Sequence, residues 1–599
     1  MEVTIHNFWD ALSELDDNLQ HAAFVSIDAE FTGLNSGLDT TPFDTPAQYY
    51  AKLKAGSMNF LLVQFGLSLF TYNSETKRYS QRSYTFYVFP KQVNRQVPDC
   101  RFMCQASSMV FLANQDFDFN KLFKYGIPYL NINEEENLLK RMKEKQKQKE
   151  EYLDATISIS DADRPQIEEI CSKIENFLTS DKEEITIERC NNFIKKLVYQ
   201  EAKKRWPDKV RVESKFENTW NCLLVQKVGT KEQEQEREDQ RRVKEKLEFD
   251  QAVGVSKLLK KIIDSGKTIV GHNMLLDLCH IIHQFVTPLP TDYSEFKNLV
   301  HNLFPRLLDT KVICQSQPFK EHVSSSHLDT LLDIMKEPPF SIPDVESVEG
   351  RSYSISVKKL HDAGYDAYIT GLCFIALSNY LGTIKESEQA VVLPDSSLLN
   401  PFLNKLPIAR LKDIPYVNLA GKDPNPSRDH IFHITFPKDW KNMDINQLFN
   451  PYGGGHIVWL TNTSAYIALF KRENVGAVIS SLSKESVCTI QTYLDYQASL
   501  NANGACSEDR KRKLPFGSVS DSAVASQSGN GAMSTLSKIS SLPSLSSMTT
   551  HSFLSTSTEA SDEGWEVATG KRRKKRREQN TTNVEVTNKR AFAENDAWN

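Results

Sequence analysis

Apolar and polar positions alternate with the period of β-strands in three early stretches of the chain, at residues 23–31, 60–70 and 83–89. Farther along, the pattern indicates single elements in turn: a strand at 267–273, a helix at 274–285, a strand at 306–313 and a helix from about 364 to 380. Three successive strands followed by such units predict an α/β architecture, a mixed sheet flanked by helices.

Two mixed-charge runs separate these sets of elements, LLKRMKEKQKQKEEY at 138–152 and TKEQEQEREDQRRVKEKLEF at 230–249. Runs of this kind are typical of solvated helices or linkers. The block between them has an apolar periodicity of its own and predicts a small inserted domain. We therefore expect a first part of the main domain at 1–160, the insert at 163–228, a charged linker at 229–249 and the second part at 250–400.

A further pattern begins near residue 425, where strand-like and helix-like segments follow one another in the order β-α-β-β-α. That order, at 425–500, predicts an RNA-recognition-motif fold. Beyond it the chain is rich in Ser, Thr, Gly and Asn and poor in large apolar residues, which predicts disorder over 501–599. Its basic runs, at 510–513 and 571–577, are typical of a nuclear import signal, a polyanion-binding tail or a solubilising segment.

The length indicates several domains, and the overall charge does not indicate a nucleic-acid-binding protein. The chain has 599 residues, 40% of them hydrophobic, and a formal net charge of −5, so a polyanion would need a local basic patch. Its ten cysteines include no CxxC pair or zinc-like cluster, which favours reduced thiols in an intracellular protein. No signal-peptide layout or apolar run of membrane length is found, so we expect a soluble protein with no membrane partner.

Two acids interrupt the first apolar strand, FVSIDAEFTGL at 24–34. Asp28 and Glu30 project from the same face, with Cα atoms roughly 7 Å apart. Carboxylates in an apolar setting are costly unless paired with a cation, and the stretch contains no Lys or Arg. The pair therefore predicts a site for two divalent metal ions, with a solvated strand end as the alternative.

Further acids are needed to hold two cations, and two motifs supply them. In VGHNMLLD, Asn273 is a candidate helix N-cap and Asp277 lies one turn into the helix. In HDAGYDAY, Asp366 opens a helix and His361 precedes it, with Gly364 letting the backbone bend. The four acids would hold the ions for phosphodiester hydrolysis. His361, with an ordinary pKa near 6.5, suits the removal of a proton from the attacking water.

The set Asp28-x-Glu30, Asp277 and His361-x4-Asp366 resembles the DEDDh class of 3′→5′ exonucleases, whose fold is a ribonuclease-H-like mixed sheet. The insert, the C-terminal motif and phrases such as GIPYLN and GYDAYITGLCF make residues 1–500 similar to the poly(A)-specific ribonucleases. This resemblance implies removal of adenylates from polyadenylated RNA with release of AMP, two Mg²⁺ ions per site and a homodimer. It also implies mRNA turnover, including nonsense-mediated decay, RNA 3′-end trimming, and a location in the nucleus, nucleolus and cytoplasm.

The resemblance also implies a set of substrate-binding residues, since adenines stack on aromatic and thioether groups and a lysine meets phosphate. These residues are Phe31, Leu34, Phe111, His272, Asn273, Met274 and Lys311. Plain core packing is the alternative for the four apolar ones. Leu34 departs from the more usual isoleucine and Ala29 from a glycine, and neither change touches a metal ligand.

The accessory domains depart further from the family. The insert should carry an Arg-x-x-x-His signature for single strands, but it has Lys195-x-x-x-Tyr199 on a basic helix, for which a solvated face is an equal interpretation. In the C-terminal motif, Ser464 stands where a stacking ring is expected, so we expect weakened RNA stacking on the rings that remain, those of Tyr466 and of Phe432 or His433.

Trp459 matches the position of the family's 5′-cap-binding tryptophan, where a ring stacked on methylated guanine gains a cation–π interaction. A core tryptophan is the alternative. For the whole chain, a metal-dependent poly(A) exoribonuclease is the first hypothesis. A DNA-directed exonuclease of the same class and a non-enzymatic RNA-binding protein with an inactive nuclease fold are the others. The complete set of acids and histidine favours the first.

Overall fold

In the computed structural model of the protein, residues 1–504 are described apart from gaps at 38–39, 96, 155–156, 188–189, 208, 218–219, 230, 386–390 and 483–486. The expected disordered tail and its two basic runs therefore lie outside the described residues, except for 501–504, which end a helix.

The first part of the chain supplies three long neighbouring strands and the helices that pack around them. Its elements are β1 (Glu2–Val3), α1 (Phe8–His21), β2 (Phe24–Phe31), α2 (Pro46–Ser57), β3 (Leu62–Asn73), β4 (Arg78–Tyr87), α3 (Ala106–Asn114), α4 (Phe119–Tyr125) and α5 (Ile132–Asp154).

The insert folds around a core of its own, in which Ile174, Leu197 and Leu223 are fully buried. Its strands form an antiparallel sheet in the order β5-β7-β6. The run expected to be a linker is a helix, α8, whose Glu, Arg and Lys favour helix and form pairs four residues apart such as Arg242–Glu238. The elements are α6 (Arg164–Leu178), β5 (Glu184–Ile187), α7 (Asn192–Arg205), β6 (Val210–Glu217), β7 (Trp220–Lys227) and α8 (Lys231–Val253).

The second part of the main domain completes the sheet and adds its central helix. It contains α9 (Val255–Asp264), β8 (Thr268–Gly271), α10 (Leu275–Ile281), α11 (Tyr293–Leu303), β9 (Leu307–Asp309), α12 (Thr310–Cys314), α13 (Leu328–Met335), β10 (Val345–Ser347) and α14 (Ala363–Lys385). The main sheet has the order β1-β4-β3-β2-β8-β9, with β10 also on β4. It is mixed, since β3 runs antiparallel to β2 and β4 while β8 is parallel to β2.

Helix α14 crosses the face of this sheet and forms its core with residues such as Phe24, Phe70 and Leu308. By length and apolar composition it could span a membrane, but 78% of its most apolar window is buried in the protein. The α/β fold predicted from the hydrophobic pattern is thus confirmed, with α14 as its central buried helix.

Two local predictions near the sheet were wrong. The strand expected at 306–313 ends at Asp309, because the Asp309 carboxylate accepts the Lys311 backbone N–H at 2.9 Å and caps α12. Asn273 is not the N-cap of α10; it has φ of +61°, and Met274 is the capping residue.

The C-terminal domain follows a short hairpin and has the β-α-β-β-α order expected of an RNA-recognition motif, with one further strand. Its sheet is antiparallel, in the order β14-β15-β13-β16, and one face packs on α15 and α16. The elements are β11 (Lys405–Pro407), β12 (Tyr416–Asn418), β13 (Ile431–Thr435), α15 (Asn442–Phe449), β14 (Gly455–Thr461), β15 (Ser464–Leu469), α16 (Val475–Leu482), β16 (Thr489–Thr492) and α17 (Tyr493–Gly504). Met1–Leu494 form one compact unit.

Candidate active site

Strand β2 lies between β3 and β8 and carries the first two acids of the candidate site. Asp28 and Glu30 are two residues apart on this strand and share a face. Glu30 is 2% exposed, and Asp28 is half-buried. The burial of Glu30 argues against the alternative of a solvated strand end.

The first turn of α14 approaches this face closely because β3 has a glycine there. Gly66 stands opposite Asp28 in the antiparallel register, and a Cβ on Gly66 would overlap the backbone carbonyl group of Ala363. Any other side chain at this point would push α14 away from the sheet. The contact brings Asp366, in the first turn of α14, to the acids of β2.

Gly364 has a different role from the one that we expected. A Cβ on Gly364 would overlap the hydroxyl group of Thr85 on β4, so this glycine serves close packing. The backbone bend lies earlier, at His361, which has φ of +65°. This bend turns the loop into the site just before the helix begins.

Three predicted residues meet at this point. Ligand atoms of Glu30, His361 and Asp366 all lie within 4.8 Å of one another. The Asp366 Oδ2 atom accepts the His361 backbone N–H at 2.9 Å. Two carboxylate oxygens of this group, Glu30 Oε2 and Asp366 Oδ1, are buried and have no hydrogen-bond partner within the described part of the chain. Buried carboxylate oxygens left in this way are costly unless a cation binds them.

The acids of the candidate site lie close enough for their negative charges to raise one another's pKa values. Burial raises the pKa of Glu30 well above the carboxyl range, and the charges of Asp28 and Asp366 raise it further. Burial likewise raises the pKa of Asp28, and the charges of Asp366 and Asp277 raise it further. Burial also raises the pKa of Asp277 and of Asp366. A cluster of carboxylates that repel one another fits divalent cations with oxygen ligands.

His361 is held as a neutral imidazole beside these acids. Burial lowers the pKa of His361, and the charge of Asp329 on α13 opposes that shift. The ring of Phe111 on α3 stands edge-on to the imidazole, with centroids 4.7 Å apart. A neutral ring next to acids is able to accept a proton from a water molecule.

Comparison with known proteins agrees with this geometry. The profile of the CAF1 family ribonucleases matches residues 3–374, and that of an RNA-binding domain matches residues 421–499. Poly(A)-specific ribonuclease PARN of Xenopus laevis is 41% identical over 512 residues, which are 83% of this chain and 81% of the relative. The chain belongs to the poly(A)-specific ribonuclease family.

Other relatives of this family extend the comparison. Poly(A)-specific ribonuclease PARN of Homo sapiens is 42% identical over 513 residues, 83% of this chain and 80% of that protein. The pre-piRNA 3′-exonuclease trimmer of Bombyx mori is 28% identical over 522 residues, 84% of this chain and 94% of that protein. The resemblance found in the sequence is thus confirmed along most of the chain.

Asp362 lies beside the candidate site, where its charge acts on Asp28, and the sequence analysis missed it. Its Oδ1 atom accepts hydrogen bonds from the hydroxyl groups of Thr85 and Tyr353, both at 2.8 Å, and from the Gly364 N–H at 3.1 Å. It therefore ties the start of α14 to β4. An Asp directly before a predicted helix start is a capping signal, and this signal was available in HDAG.

Asp309 was missed as well, and it organises the other side of the site. Its carboxylate is fully buried and accepts the backbone N–H groups of Asn273 at 3.0 Å and Met274 at 2.9 Å, besides that of Lys311. Burial raises the pKa of Asp309 to about 6, against the effect of these hydrogen bonds. Asp309 thus fixes the turn that leads from β8 to Asp277.

Three of the substrate-binding residues implied by the family lie inside the protein. Phe31 is 4% exposed, with its ring 4.7 Å from that of His280, and Met274 is 1% exposed. His272 is buried, and its nitrogens pair with the Thr310 hydroxyl and the Ser326 carbonyl group at 2.8 and 2.9 Å. The burial of Phe31 and Met274 agrees with the core-packing alternative for these two residues.

The other four implied residues are partly exposed: Leu34, Phe111, Asn273 and Lys311. The Leu34 N–H donates to Gln105 Oε1 at 3.1 Å, which holds the segment after β2 against the residue preceding α3. The charge of Lys311 acts on His272, next to Asn273. Solvent therefore reaches these four side chains, unlike the three buried ones.

The basic helix of the insert is largely engaged within the insert. Lys195 is 5% exposed, and its ammonium group donates to Ser214 Oγ at 2.5 Å. The Arg205 guanidinium pairs with Glu168 and Glu201. The signature position and one end of the basic stretch thus bond within the insert, while Lys204 at the same end is exposed.

Trp459 on β14 keeps 38% of its surface exposed, so it is not a core tryptophan. Its indole Nε1 donates to Asn442 Oδ1 at 2.5 Å, and Phe436 meets it edge-on with centroids 5.1 Å apart. Phe432, one of the rings expected for RNA stacking, is 1% exposed and lies in the core with the helices. The partly exposed Trp459 ring is therefore held in one orientation by these two contacts.

Proposed function

We propose that this enzyme is a 3′→5′ exoribonuclease that removes poly(A) tails and releases AMP. The observation that carries the proposal is the cluster of Glu30, His361 and Asp366, with buried carboxylate oxygens that lack a partner among the described residues. Asp28 and Asp277 add their charges to this cluster. Membership of the poly(A)-specific ribonuclease family gives the substrate class.

We propose Mg²⁺ as the cofactor, with two ions per site held by the four acids Asp28, Glu30, Asp277 and Asp366. Bound cations would offset the mutual repulsion of the carboxylates and act as Lewis acids on water and on the phosphodiester. The carboxylate-only donor set favours Mg²⁺ over softer metals.

The residues of the chain perform the remaining work of hydrolysis. His361, kept neutral by burial, takes the proton of the attacking water. Asp366 accepts the His361 N–H and Asp362 anchors the start of α14, so imidazole and carboxylates keep their relative positions. Phe111 restricts the rotation of the imidazole by edge contact. The 3′ oxygen of the penultimate nucleotide leaves as the new chain end.

Substrate contacts are proposed at the seven implied residues, in two groups. The partly exposed ones would meet RNA directly, with Lys311 on phosphate and Phe111 and Leu34 on bases. Phe31, Met274 and His272 would shape the floor beneath the terminal adenosine.

Further properties of the enzyme are proposed as well. Trp459 would bind the 5′ cap by stacking on methylated guanine, so that capped RNA is degraded faster. The family resemblance supports a homodimer and a role in mRNA turnover, nonsense-mediated decay and RNA 3′-end trimming. The basic runs of the tail, outside the described residues, support a nuclear and nucleolar as well as a cytoplasmic location.

The direct test uses 5′-labelled oligo(A), oligo(U) and oligo(dA), each with Mg²⁺ or with chelator. We expect stepwise shortening of oligo(A) from the 3′ end, AMP as product, and loss of activity with chelator and in Asp28→Ala. Asp10→Asn, an exposed acid on α1, is the matched control. Shortening that survives Asp28→Ala would refute the assigned site. Equal shortening of oligo(U) would favour a general 3′ trimmer, and preference for oligo(dA) would favour a DNA exonuclease.

A further inference from the structure

The sheet of the C-terminal domain has a second face, and in this protein the part of that face around His433 and Tyr466 is covered. RNA-recognition motifs stack bases on the face away from their helices. Here His433 and Tyr466 occupy it as register partners on β13 and β15, and they are only 5% and 4% exposed. The ring of Tyr466 meets Phe43 of the nuclease domain edge-on at 5.9 Å and lies 5.8 Å from Tyr493. The covering residues come from the same chain.

One arginine makes several of the hydrogen bonds at this contact. Arg428, just before β13, is 8% exposed and donates two hydrogen bonds of 2.7 Å to the Asp413 carboxylate. It also donates to the backbone carbonyl groups of Phe43, at 2.5 Å, and Asp44, at 3.1 Å. It further bonds the Tyr493 hydroxyl and covers the Tyr493 ring. Only a planar guanidinium can donate to this many acceptors in one plane.

The carbonyl groups that Arg428 binds lie at one end of α2. Thr45 caps this helix directly after Asp44, and its hydroxyl accepts the Gln48 N–H at 3.2 Å. The helix has 12 residues, so it is about 18 Å long. Arg428 therefore fixes the N-terminal end of a rigid element of the nuclease domain.

The opposite end of α2 holds the segment that follows the catalytic strand. The Ser57 hydroxyl donates to the Leu34 carbonyl at 2.5 Å, and the Ser36 N–H donates to the Gly56 carbonyl at 2.9 Å. Leu34 comes three residues after the end of β2, which carries Asp28 and Glu30. A continuous set of bonded groups thus runs from the C-terminal domain to the edge of the active site.

We propose that Arg428 is a positioning residue: by docking the covered sheet face onto the nuclease domain, it sets α2 and thereby the Leu34 segment that grips the terminal adenosines. The inference rests on the proposed substrate role of Leu34. The C-terminal domain then contributes to poly(A) affinity through the nuclease domain, without base stacking on the Tyr466 face.

The test is a double-mutant cycle in the full chain with Arg428→Met and Leu34→Ala, read as KM and kcat on 5′-labelled oligo(A). Each single variant should raise KM about tenfold, with a smaller change in kcat, because binding is lost in ground and transition states alike. If Arg428 acts through Leu34, the double variant has the KM of Leu34→Ala alone. Arg428→Lys should have the same effect as Arg428→Met, since an ammonium group cannot reproduce the several coplanar hydrogen bonds of the guanidinium group.

Controls separate this mechanism from loss of folding. Tyr493→Phe removes only the hydroxyl group that donates to the Phe43 carbonyl at 2.8 Å, and it should raise KM by a few-fold in a protein that remains folded. Arg472→Met, an exposed arginine of the same domain, should leave KM as it is.

Two different outcomes would contradict the proposal, and they can be told apart. Multiplicative effects in the double variant, or an unchanged KM in both Arg428→Met and Tyr493→Phe, would overturn the positioning role while leaving deadenylation intact. An unchanged KM in Leu34→Ala would instead overturn the substrate role of Leu34, and the inference with it.

Discussion

Gly66 on β3 and Ala363 at the start of α14 approach so closely that a Cβ on Gly66 would overlap the Ala363 carbonyl group. The two residues are far apart in sequence, and their contact joins the two halves of the nuclease domain. Because Gly66 also pairs with Asp28, the contact fixes the spacing between the acids of β2 and Asp366. The geometry of the candidate metal site thus depends on a residue with no side chain.

The first prediction follows from this contact. Gly66→Ala should destabilise the protein by about 1–3 kcal/mol through overpacking. It should also lower kcat/KM by about 100-fold, because a small displacement of α14 moves Asp366 and His361 from the acids of β2. Thermal unfolding and oligo(A) kinetics measure the two effects.

A glycine elsewhere provides the control. A Cβ on Gly476, in α16, would meet nothing within 4 Å outside its own helix, so Gly476→Ala should be stabilising or neutral and fully active. Normal activity in Gly66→Ala would contradict the role of the close approach.

The acids and the histidine could be proposed as candidates from sequence because the spacing within each motif is local. Two acids two apart share a strand face, and an acid in the first turn of a helix lies near the end of the preceding segment. The contacts of Gly66 and Gly364 could not be found, since each depends on which distant element packs there. The same holds for Asp309, whose partners Asn273 and Met274 lie on another strand end.

The burial of side chains was also beyond sequence reasoning. Phe31 and Phe111 look alike as apolar residues near the site, yet one is buried beside His280 and the other is half-buried against His361. On the C-terminal sheet, the alternation of residues along β15 places Tyr466 on the face away from the helices, where an exposed ring is expected. Phe43 of the nuclease domain and the ring of Tyr493 cover it instead.

The second prediction concerns metal binding and pH. Burial raises the pKa of the Glu30 and Asp366 carboxyl groups in the folded, metal-free protein. In the unfolded chain the same groups lose their protons near their ordinary pKa, about 4.3 for Glu, so at higher pH the folded protein binds more protons than the unfolded chain. This contribution to stability is present at low pH and is lost as pH rises through the raised folded values. Mg²⁺ competes with those protons. We expect Mg²⁺ to raise Tm more at pH 8 than at pH 5.5.

Thermal shift with and without Mg²⁺ at both pH values measures this effect. Asp366→Asn should lose most of the Mg²⁺ stabilisation at pH 8, whereas Asp10→Asn, remote on α1, should retain it. An equal Mg²⁺ effect at the two pH values, or an undiminished effect in Asp366→Asn, would argue against these acids as the ligands.

The third prediction concerns His361 as the proton acceptor. Since burial lowers its pKa, the imidazole is neutral at pH 7 and gains a proton only below its ordinary pKa of about 6.5. The rate should therefore fall on the acid side below that pH. His361→Gln should lower kcat by about 10²–10⁴-fold and remove the part of the acid limb due to this ring.

Single-turnover rates from pH 5 to 9 at saturating Mg²⁺ give the profile. His21→Gln, an exposed histidine in the last turn of α1, is the matched control and should keep both rate and profile. A His361→Gln enzyme with the same acid limb as the parent would assign that limb to another group, and His361 would no longer be the base.

The fourth prediction concerns the cap. Trp459 presents an exposed ring whose orientation is set by the hydrogen bond to Asn442 and the edge contact with Phe436. A methylated guanine is positively charged and gains a cation–π interaction on this ring, whereas plain guanine does not. Trp459→Ala should therefore weaken binding of a methylated cap analogue about tenfold and have much less effect on GTP.

Fluorescence or calorimetric titration measures the affinity, and the ratio of rates on capped and uncapped poly(A) RNA measures the consequence. Asn442→Ala, which frees the indole, should give a smaller loss of affinity than Trp459→Ala. Phe470→Ala removes a 70% exposed aromatic ring of the same domain and should not change cap affinity. If Trp459→Ala binds the methylated analogue as tightly as the parent does, the cap must bind elsewhere. The fixed orientation of the ring would then need another explanation, such as contact with RNA bases.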